Sequence, residues 1–247
     1  PGKMSAEERF SLAKRTGFEG VEVPTVEDSA LQAEMKAASV KTGLIIHSIM
    51  NQRHWKFPLS SSDPDAVKQS IEGMEISLRN AKEFGADAVL LVPGVVNADT
   101  SYQDAWDRSR KNIQKLLPLA QELKVVIAIE NVWNKFLLSP LEFARYVDDF
   151  KSPWLKAYFD VGNIALYGVP QDWIRTLGKC IVKVHIKGFD EKKREFVALL
   201  DGTIDWKTVR KALAGIGYQG WVSAEVAGGD ENYLRGVSAA MDAIFAG

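Results

Sequence analysis

Val125-Val126-Ile127-Ala128-Ile129-Glu130 is the stretch that decides the fold, because it is an apolar run that ends in a carboxylate. Three later runs end in the same manner: Ala157-Tyr-Phe-Asp160, Val182-Lys-Val-His185 and Val222-Ser-Ala-Glu225. The four polar residues are 30, 25 and 40 positions apart, close to one strand–helix unit each in a barrel of about 250 residues. The pattern predicts buried parallel strands that bring their last residues to one edge.

Short apolar runs alternate with longer helical patterns along the whole chain, which favours a parallel sheet covered by helices. The predicted strands are residues 18–23, 41–47, 88–92, 125–130, 156–160, 180–187 and 220–225. The predicted helices are residues 5–15, 28–38, 65–84, 102–123, 140–150, 171–176, 206–216 and 231–245. With a length of 247 residues, this alternation predicts an α/β fold, a (β/α)8 TIM barrel, in a single domain over residues 1–247.

The first helix is predicted to begin almost at residue 1, since Ser5 and Glu8 have the spacing of a capping box. The strand that would precede this helix is therefore expected to be missing or truncated at the N-terminus. Gly17, Gly85 and Gly217 each follow a predicted helix, where a left-handed C-terminal residue is needed. An open doubly wound sheet is the alternative fold, but no G-x-G-x-x-G turn follows any strand.

Composition excludes several classes of partner. A net charge of −1 gives no basic field for nucleic acid, and no apolar stretch approaches the ~20 residues of a membrane span. The single cysteine cannot form an internal disulfide. We expect a cytoplasmic location, although the chain begins with Pro1 rather than Met. Assembly into a homo-oligomer is left open.

The residues at the four strand ends are predicted to bind a metal ion. Glu130, Asp160, His185 and Glu225 would converge at one face, since neighbouring strands lie about 4.8 Å apart. Three carboxylates and an imidazole favour Mn²⁺, Mg²⁺ or Co²⁺ over a cysteine-type zinc site. Each residue alone could instead cap a helix or pair with a lysine. The two glutamates, however, interrupt apolar strands, where a carboxylate without a countercharge is unfavourable.

At these residues the chain resembles the xylose-isomerase-like barrel superfamily of sugar and sugar-phosphate isomerases and epimerases. The L-xylulose 5-phosphate 3-epimerase and tagatose 3-epimerase groups look nearest. The resemblance runs through Gly17-Phe-Glu-Gly-Val-Glu22, Ile129-Glu-Asn131, Phe159-Asp-Val-Gly-Asn163, Val184-His-Ile-Lys187, Gly217-Tyr-Gln-Gly220 and Ala224-Glu225. It implies that the quartet holds one divalent ion, Mn²⁺ first, with Mg²⁺, Co²⁺ or Zn²⁺ as the other ions. It also implies that Glu130 and Glu225 are the catalytic acid and base, and that the partner is a small-molecule sugar or sugar phosphate.

Two positions depart from the pattern of these relatives. Asn163 stands where many of them carry a substrate-contacting histidine, and Phe136 stands where the free-ketose epimerases carry a second glutamate. Both departures speak against an unphosphorylated ketohexose as the substrate.

The expected reaction is proton transfer next to a carbonyl through a metal-bound enediolate, of the EC 5.1.3 or 5.3.1 type. If Glu130 and Glu225 lie on opposite faces of the sugar, the proton is removed by one and returned by the other, which is epimerisation. If one carboxylate shuttles the proton on a single face, the result is aldose–ketose isomerisation. The sequence leaves both open.

Residues near the quartet are candidates for binding the substrate. Lys187 shares a strand side with His185 and could bind a substrate oxygen or phosphate, or pair with an acid. His47 could contact a hydroxyl or be structural. Asn131, Trp133 and Asn163 follow the metal-binding positions, and Trp133 would offer an apolar wall to a sugar.

Two further segments carry substrate-binding candidates. Residues 51–62, which include Arg53 and His54, read as a lid over the barrel mouth, with an ordinary solvated connection as the alternative. Arg194 lies in the polar run 190–195, which is otherwise an exposed turn.

Other functions compete with this hypothesis. A Schiff-base aldolase could use Lys187, but that mechanism gives no reason for the acidic quartet. A metal-dependent keto-sugar lyase or dehydratase would share the metal and the first proton abstraction, and a non-catalytic sugar-binding barrel would keep the fold without turnover. The related endonuclease branch needs a histidine-rich site with several metals, whereas this chain has three histidines.

Overall fold

Seven strands pair side by side in parallel, in the order in which they follow along the chain. The computed structural model describes residues 4–246. The strands of this sheet are β1 (Gly20–Pro24), β2 (Ile45–Met50), β3 (Ala88–Leu91), β4 (Val126–Glu130), β5 (Leu155–Asp160), β6 (Ile181–Ile186) and β9 (Val222–Ala224). Strand–helix alternation and parallel pairing confirm the predicted TIM barrel.

Helices cover the outside of this sheet. They are α1 (Ala6–Arg15), α2 (Ser29–Thr42), α3 (Pro64–Phe84), α4 (Tyr102–Leu123), α5 (Pro140–Asp148), α6 (Val161–Ala165), α7 (Pro170–Leu177), α8 (Trp206–Gly215) and α9 (Glu231–Phe245). Within residues 4–246, no helix is both long enough and apolar enough to cross a membrane.

The helix boundaries follow the local signals in the sequence. Ser5 caps α1, where its hydroxyl accepts from the Glu8 N–H at 3.2 Å and Glu8 Oε2 accepts from the Ser5 N–H at 2.8 Å. The predicted capping box is therefore confirmed. The start of the strand predicted over residues 41–47 is wrong, because α2 continues to Thr42 and ends at Gly43, whose φ is +67°. Gly43 permits this left-handed C-terminus, so β2 begins at Ile45.

One short helix and the two strands of a hairpin are not predicted from the sequence. A short helix, α6, follows β5 directly, and a hairpin of β7 (Gly188–Asp190) and β8 (Glu195–Val197) follows β6. The helix and each of the two strands have five residues or fewer. A periodic pattern this short cannot be distinguished from a loop.

The barrel ladder is not closed between β9 and β1 in the described residues, where each of the two strands has a single neighbour. Helix α1 precedes β1, and the described residues contain no strand before α1. The sequence predicts this for a barrel whose first strand is missing or truncated. A cleft of about 890 Å³ lies along this seam. Side chains bridge it: the His47 ring stacks on Trp221 with centroids 4.9 Å apart, and His47 Nε2 lies 3.0 Å from Ser223 Oγ.

Strand alternation decides which side chains enter the barrel. Ala88, Leu90, Ala128 and Tyr158 form a small interior cluster, while residues of the opposite parity, such as Ile127 and Ile129, join the larger core between sheet and helices. Successive strand residues point to opposite faces. Glu130 therefore shares the interior side with Ala128, and Asp160 shares it with Tyr158.

Candidate metal centre

Four potential ligands converge at the carboxyl ends of four neighbouring strands. Glu130, Asp160, His185 and Glu225 each offer one ligand atom, and these four atoms all lie within 4.8 Å of one another. Glu130 and Asp160 end β4 and β5, His185 lies in β6, and Glu225 directly follows β9. The convergence predicted from strand spacing is thus present.

The Nδ1 atom of His185 lies close to a carboxylate oxygen of each of the other three residues. Its Nδ1 lies 3.1 Å from Glu130 Oε1, 3.4 Å from Glu225 Oε2 and 3.9 Å from Asp160 Oδ2. The histidine, Glu130 and Asp160 are buried, whereas the Glu225 side chain is 44% exposed. Three ligands are therefore enclosed and the fourth faces the cleft.

Asp160 divides its two carboxylate oxygens between two tasks. Oδ1 accepts from the Asn163 N–H at 2.7 Å and so caps α6. In the described residues, Oδ2 is buried without a well-oriented hydrogen bond, although Lys187 Nζ lies 3.0 Å away as an ion-pair partner. Capping of α6 therefore accounts for Oδ1 only. Oδ2 faces the centre of the quartet.

Burial and neighbouring positive charges shift the pKa values of the carboxylates in opposite directions. Burial raises the pKa of Glu130 to about 7 and that of Asp160 to about 6. Burial also opposes ionisation of Glu225, but His185 and Lys187 outweigh it and hold the pKa of this carboxyl well below its usual range. Full ionisation of Glu130 and Asp160 at neutral pH would therefore need more positive charge beside them.

The residues present fit a divalent cation. Buried carboxylates at this separation repel one another, and Asp160 Oδ2, which in the described residues has the Lys187 ion pair but no well-oriented hydrogen bond, is a buried acceptor that a cation could also bind. One imidazole and three carboxylates are donors that hard or borderline ions accept.

Lys187 lies inside this cluster. Its ammonium group contacts Asp160 Oδ2 and Glu225 Oε2. Burial opposes the charge, but these two carboxylates outweigh burial and raise the pKa of Lys187 above its usual value. Of the two roles that the sequence left open, pairing with an acid is the one seen here, and contact with a substrate stays a prediction.

The two asparagines hold the backbone around Asp160. Asn131 Nδ2 donates to the Asp160 carbonyl at 2.8 Å, and Asn131 Oδ1 accepts from the Asp160 N–H at 2.9 Å. Asn163 Nδ2 donates to the Asn131 carbonyl at 3.0 Å. These side chains therefore fix a metal-ligand candidate, while their predicted contact with a substrate remains a prediction.

Trp133 forms an aromatic wall beside the quartet. Its Nε1 donates to the Asn163 carbonyl at 2.9 Å, and its ring, in a side chain that is 44% exposed, stacks on Phe196 with centroids 4.8 Å apart. Phe196 comes from the β7–β8 hairpin, so sequence reasoning missed it together with that hairpin. The Lys187 ammonium lies 5.0 Å from the Phe196 ring centroid.

Arg53 and Arg194 are not brought to the quartet. The Arg53 guanidinium donates to Glu27 Oε1, at 3.0 Å from Nε, and its stem packs on Gly73 of α3. Arg194 is exposed in the turn of the hairpin, with φ +58°. In this arrangement neither guanidinium contacts a ligand candidate among the described residues, and their roles toward a substrate stay predictions.

His54 is buried within the loop 51–62, where its Nδ1 accepts from the Val92 N–H at 3.3 Å. Leu59 and Ser60 of the same loop are buried as well. Much of this segment therefore packs against the barrel, and its predicted function as a lid stays a prediction.

Acid should destabilise the protein through His54. Burial lowers its pKa from 6.5 to about 4, so between these pH values the unfolded chain binds more protons than the folded one. The free energy of unfolding should fall by up to about 3 kcal/mol as pH drops from 6.5 to 4. The variant His54→Asn, which keeps an acceptor for the Val92 N–H, should lose this part of the pH dependence in urea titrations. An unchanged slope, matching that of the exposed-site control Lys56→Gln, would contradict this assignment.

Glu22 is a site residue that sequence reasoning did not single out. It lies on β1, and its Oε1 is 3.1 Å from His185 Nε2, on the side of the ring opposite the quartet. Ser48 of β2 donates to Glu22 Oε2 at 2.6 Å. The signal that the sequence offers is a carboxylate between Val21 and Val23 in an apolar run.

Comparisons with known proteins agree with this geometry. Residues 10–244 match the family model described as "Xylose isomerase-like TIM barrel". L-ribulose-5-phosphate 3-epimerase UlaE of Salmonella paratyphi B is 29% identical over 229 residues, covering 86% of this chain and 79% of that protein.

Solved structures share the fold at low sequence identity. D-psicose 3-epimerase from Clostridium cellulolyticum H10, solved with D-tagatose, has a TM-score of 0.81 at 19% identity over 98% of this chain and 93% of that chain. 3-keto-D-glucoside 4-epimerase from E. coli has a TM-score of 0.80 at 16% identity over 97% and 94%. Since the family match spans nearly the whole chain and the four ligand candidates stand at the expected strand ends, the chain belongs to the xylose isomerase-like TIM barrel family.

Proposed function

We propose that this chain is a divalent-metal-dependent isomerase or epimerase of a sugar or sugar phosphate, acting by proton transfer next to a carbonyl. The observation that carries the proposal is the convergence of Glu130, Asp160, His185 and Glu225 within 4.8 Å. The oxygen-rich donor set favours Mn²⁺, with Mg²⁺, Co²⁺ and Zn²⁺ as candidates to be tested. When bound, such an ion supplies positive charge that stabilises the negative charge developing on the carbonyl oxygen.

Strand order bears on the choice between epimerisation and isomerisation. Glu130 and Glu225 belong to the two outer positions of four consecutive strands, β4, β5, β6 and β9, with Asp160 and His185 between them. The two glutamates therefore approach the centre from opposite sides. That arrangement favours two carboxylates, one removing a proton from one face of the sugar and the other returning it to the opposite face.

Related proteins support an epimerase. The relative cited above is named as an epimerase of L-ribulose 5-phosphate at C3, and the structural neighbours are named as 3- and 4-epimerases. Trp133 and Phe196 supply an apolar wall for the sugar ring or chain. Arg53, Lys187 and Arg194 are the candidates for binding a substrate phosphate, and Lys187 is the one that contacts the quartet.

Solvent-deuterium exchange tests the proposal. With Mn²⁺ present in D₂O, one ketopentose or ketohexose of a panel, phosphorylated or free, should incorporate one deuterium at the carbon next to its carbonyl, observed by NMR. Incorporation at C3 with appearance of the C3 epimer would indicate a 3-epimerase, whereas incorporation at C1 or C2 with an aldose product would indicate an isomerase. EDTA should abolish exchange, and added Mn²⁺ should restore it.

The same experiment separates the competing functions. A keto-sugar lyase or dehydratase would give a product that has lost water or a carbon fragment. A non-catalytic sugar-binding barrel would bind a sugar of the panel and exchange none. Exchange that persists unchanged in EDTA, with metal analysis showing an empty protein, would refute the metal-dependent mechanism.

A further inference from the structure

We propose that Glu22 is a positioning residue of the metal centre, which holds the His185 ring so that Nδ1 rather than Nε2 is presented to the metal ion. This inference rests on the proposed function only in assuming that the quartet binds a divalent ion. It adds a fifth side chain, from strand β1, to a site whose other members come from β4, β5, β6 and the end of β9.

The two ring nitrogens of His185 contact different carboxylates. Nδ1 faces the three carboxylates of the quartet, the nearest at 3.1 Å, while Nε2 has Glu22 Oε1 at 3.1 Å. An imidazole that binds a metal through one nitrogen keeps its proton on the other. With Glu22 as the acceptor of an Nε2 proton, the lone pair of a neutral His185 is left on Nδ1, where the other ligands meet.

Glu22 is itself fixed at both oxygens. Oε1 faces His185, and Oε2 accepts from the Ser48 hydroxyl at 2.6 Å. The Tyr158 ring packs against His185 with centroids 4.3 Å apart, and its hydroxyl lies 3.5 Å from Ser48 Oγ. The Glu22 side chain is only 11% exposed. Glu22, which is itself held by Ser48, therefore contacts one edge of the His185 ring, and the Tyr158 ring packs against the histidine.

Charge also favours this role. Glu22 Oε2 accepts a short hydrogen bond from the Ser48 hydroxyl, and hydrogen bonds to a carboxylate favour its ionised form. An ionised carboxylate accepts hydrogen bonds and donates none, so Glu22 can accept only a proton held on Nε2. A neutral amide at the same place could also turn its NH₂ group toward Nε2 and favour the wrong tautomer.

Two other roles for Glu22 make different predictions. As a direct ligand it would have to reach the ion from the far edge of the imidazole, whereas the group of mutually close ligand atoms comprises the quartet alone among the described residues. As a mere partner for a buried histidine it would affect folding but not which nitrogen binds the metal. A measurement of the tautomer separates these roles from positioning.

The wild-type protein gives the first test. Loaded with diamagnetic Zn²⁺, it should show a His185 whose Nε2 carries the proton and whose Nδ1 has the ¹⁵N shift of a metal-bound nitrogen. The chain has three histidines, so the His185 resonances can be assigned with His47→Gln and His54→Asn variants. A proton on Nδ1 with the metal on Nε2 would overturn the proposal without any variant of Glu22.

The second test measures metal affinity, with Mn²⁺ alone as the probe, by calorimetric titration at constant pH. Glu22→Gln should weaken Mn²⁺ binding by about 10- to 100-fold, the range typical of such supporting partners, and its zinc form should show mixed tautomers. Glu22→Asp, which keeps the charge, should recover part of the loss. Glu19→Gln, an exposed neighbour just before β1, is the matched control.

These readouts do not depend on a sugar substrate. If no sugar undergoes exchange but Glu22→Gln still loses affinity and tautomer selection, the proposed reaction fails and the positioning role stands. If Glu22→Gln binds Mn²⁺ within twofold of the wild type and keeps the Nε2 proton, positioning by Glu22 is refuted. If Glu22→Gln does not fold, the tautomer of His185 in the zinc-loaded wild-type protein is the deciding measurement.

Discussion

Glu130→Gln and Glu225→Gln are each expected to slow formation of the epimeric product by about 10³-fold, within the range typical of a lost general acid or base. Each substitution keeps the size of the side chain and removes its ability to exchange a proton. In an epimerase with two carboxylates on opposite sides, loss of either should suppress interconversion of the epimers. Initial rates of epimer formation, followed by NMR at saturating Mn²⁺, measure the effect.

The metal content of each variant has to be measured alongside, because both glutamates are also ligand candidates. A variant that retains the ion and loses exchange assigns the proton transfer to the missing carboxylate. Glu122→Gln, an exposed site on α4, should exchange at the wild-type rate. If both active-site variants, with the metal bound, exchange within tenfold of wild type, neither glutamate is the acid or the base.

Binding of Mn²⁺ should stabilise the fold by a large amount, since the ion removes the repulsion among three carboxylates that lie close together. At 100 times the dissociation constant the gain in the free energy of unfolding is about 2.7 kcal/mol. For a chain of this length that corresponds to a rise in Tm of roughly 5 to 11 °C. Thermal unfolding by circular dichroism, with EDTA or with each of Mn²⁺, Mg²⁺, Co²⁺ and Zn²⁺, gives the shift and ranks the ions.

Asp160→Asn should abolish most of this shift, because it removes a charge from the quartet while its side-chain oxygen can still cap α6. Asp99→Asn, at an exposed loop position, should leave the shift unchanged. An equal Tm increase in both variants would place the stabilising ion elsewhere on the protein. No increase with any of the four ions would exclude a divalent metal centre in the quartet.

Much of the fold could be predicted because strand spacing and helix caps are local properties of the chain. The run ending at Glu130 is apolar and β-branched, and the period of one βα unit then places Asp160, His185 and Glu225 at the same edge. Strand parity further predicts that Lys187 lies on the side of His185, as its contacts with Asp160 and Glu225 confirm.

The parts that escaped prediction depend on contacts between distant segments. Glu22 meets His185 across 163 positions, and nothing local to β1 distinguishes a supporting carboxylate from an exposed one. Phe196 reaches Trp133 through a hairpin whose strands are three residues each, too short for a periodic signal. Arg53 was expected near the site because its loop is long and aromatic, whereas its partner, Glu27, depends on how that loop packs.

The open seam gives the two glutamates of the quartet unequal mechanical support. Glu130 ends β4, which is hydrogen-bonded to a strand on each side, whereas Glu225 follows β9, which has one hydrogen-bonded neighbour in the described residues. Backbone hydrogen bonds thus restrain the strand of one carboxylate from both sides and the strand of the other from one side. A reaction that needs a carboxylate to follow the proton from carbon to carbon, or to withdraw so that product can leave, would draw that movement from Glu225, with Glu130 as the stationary reference.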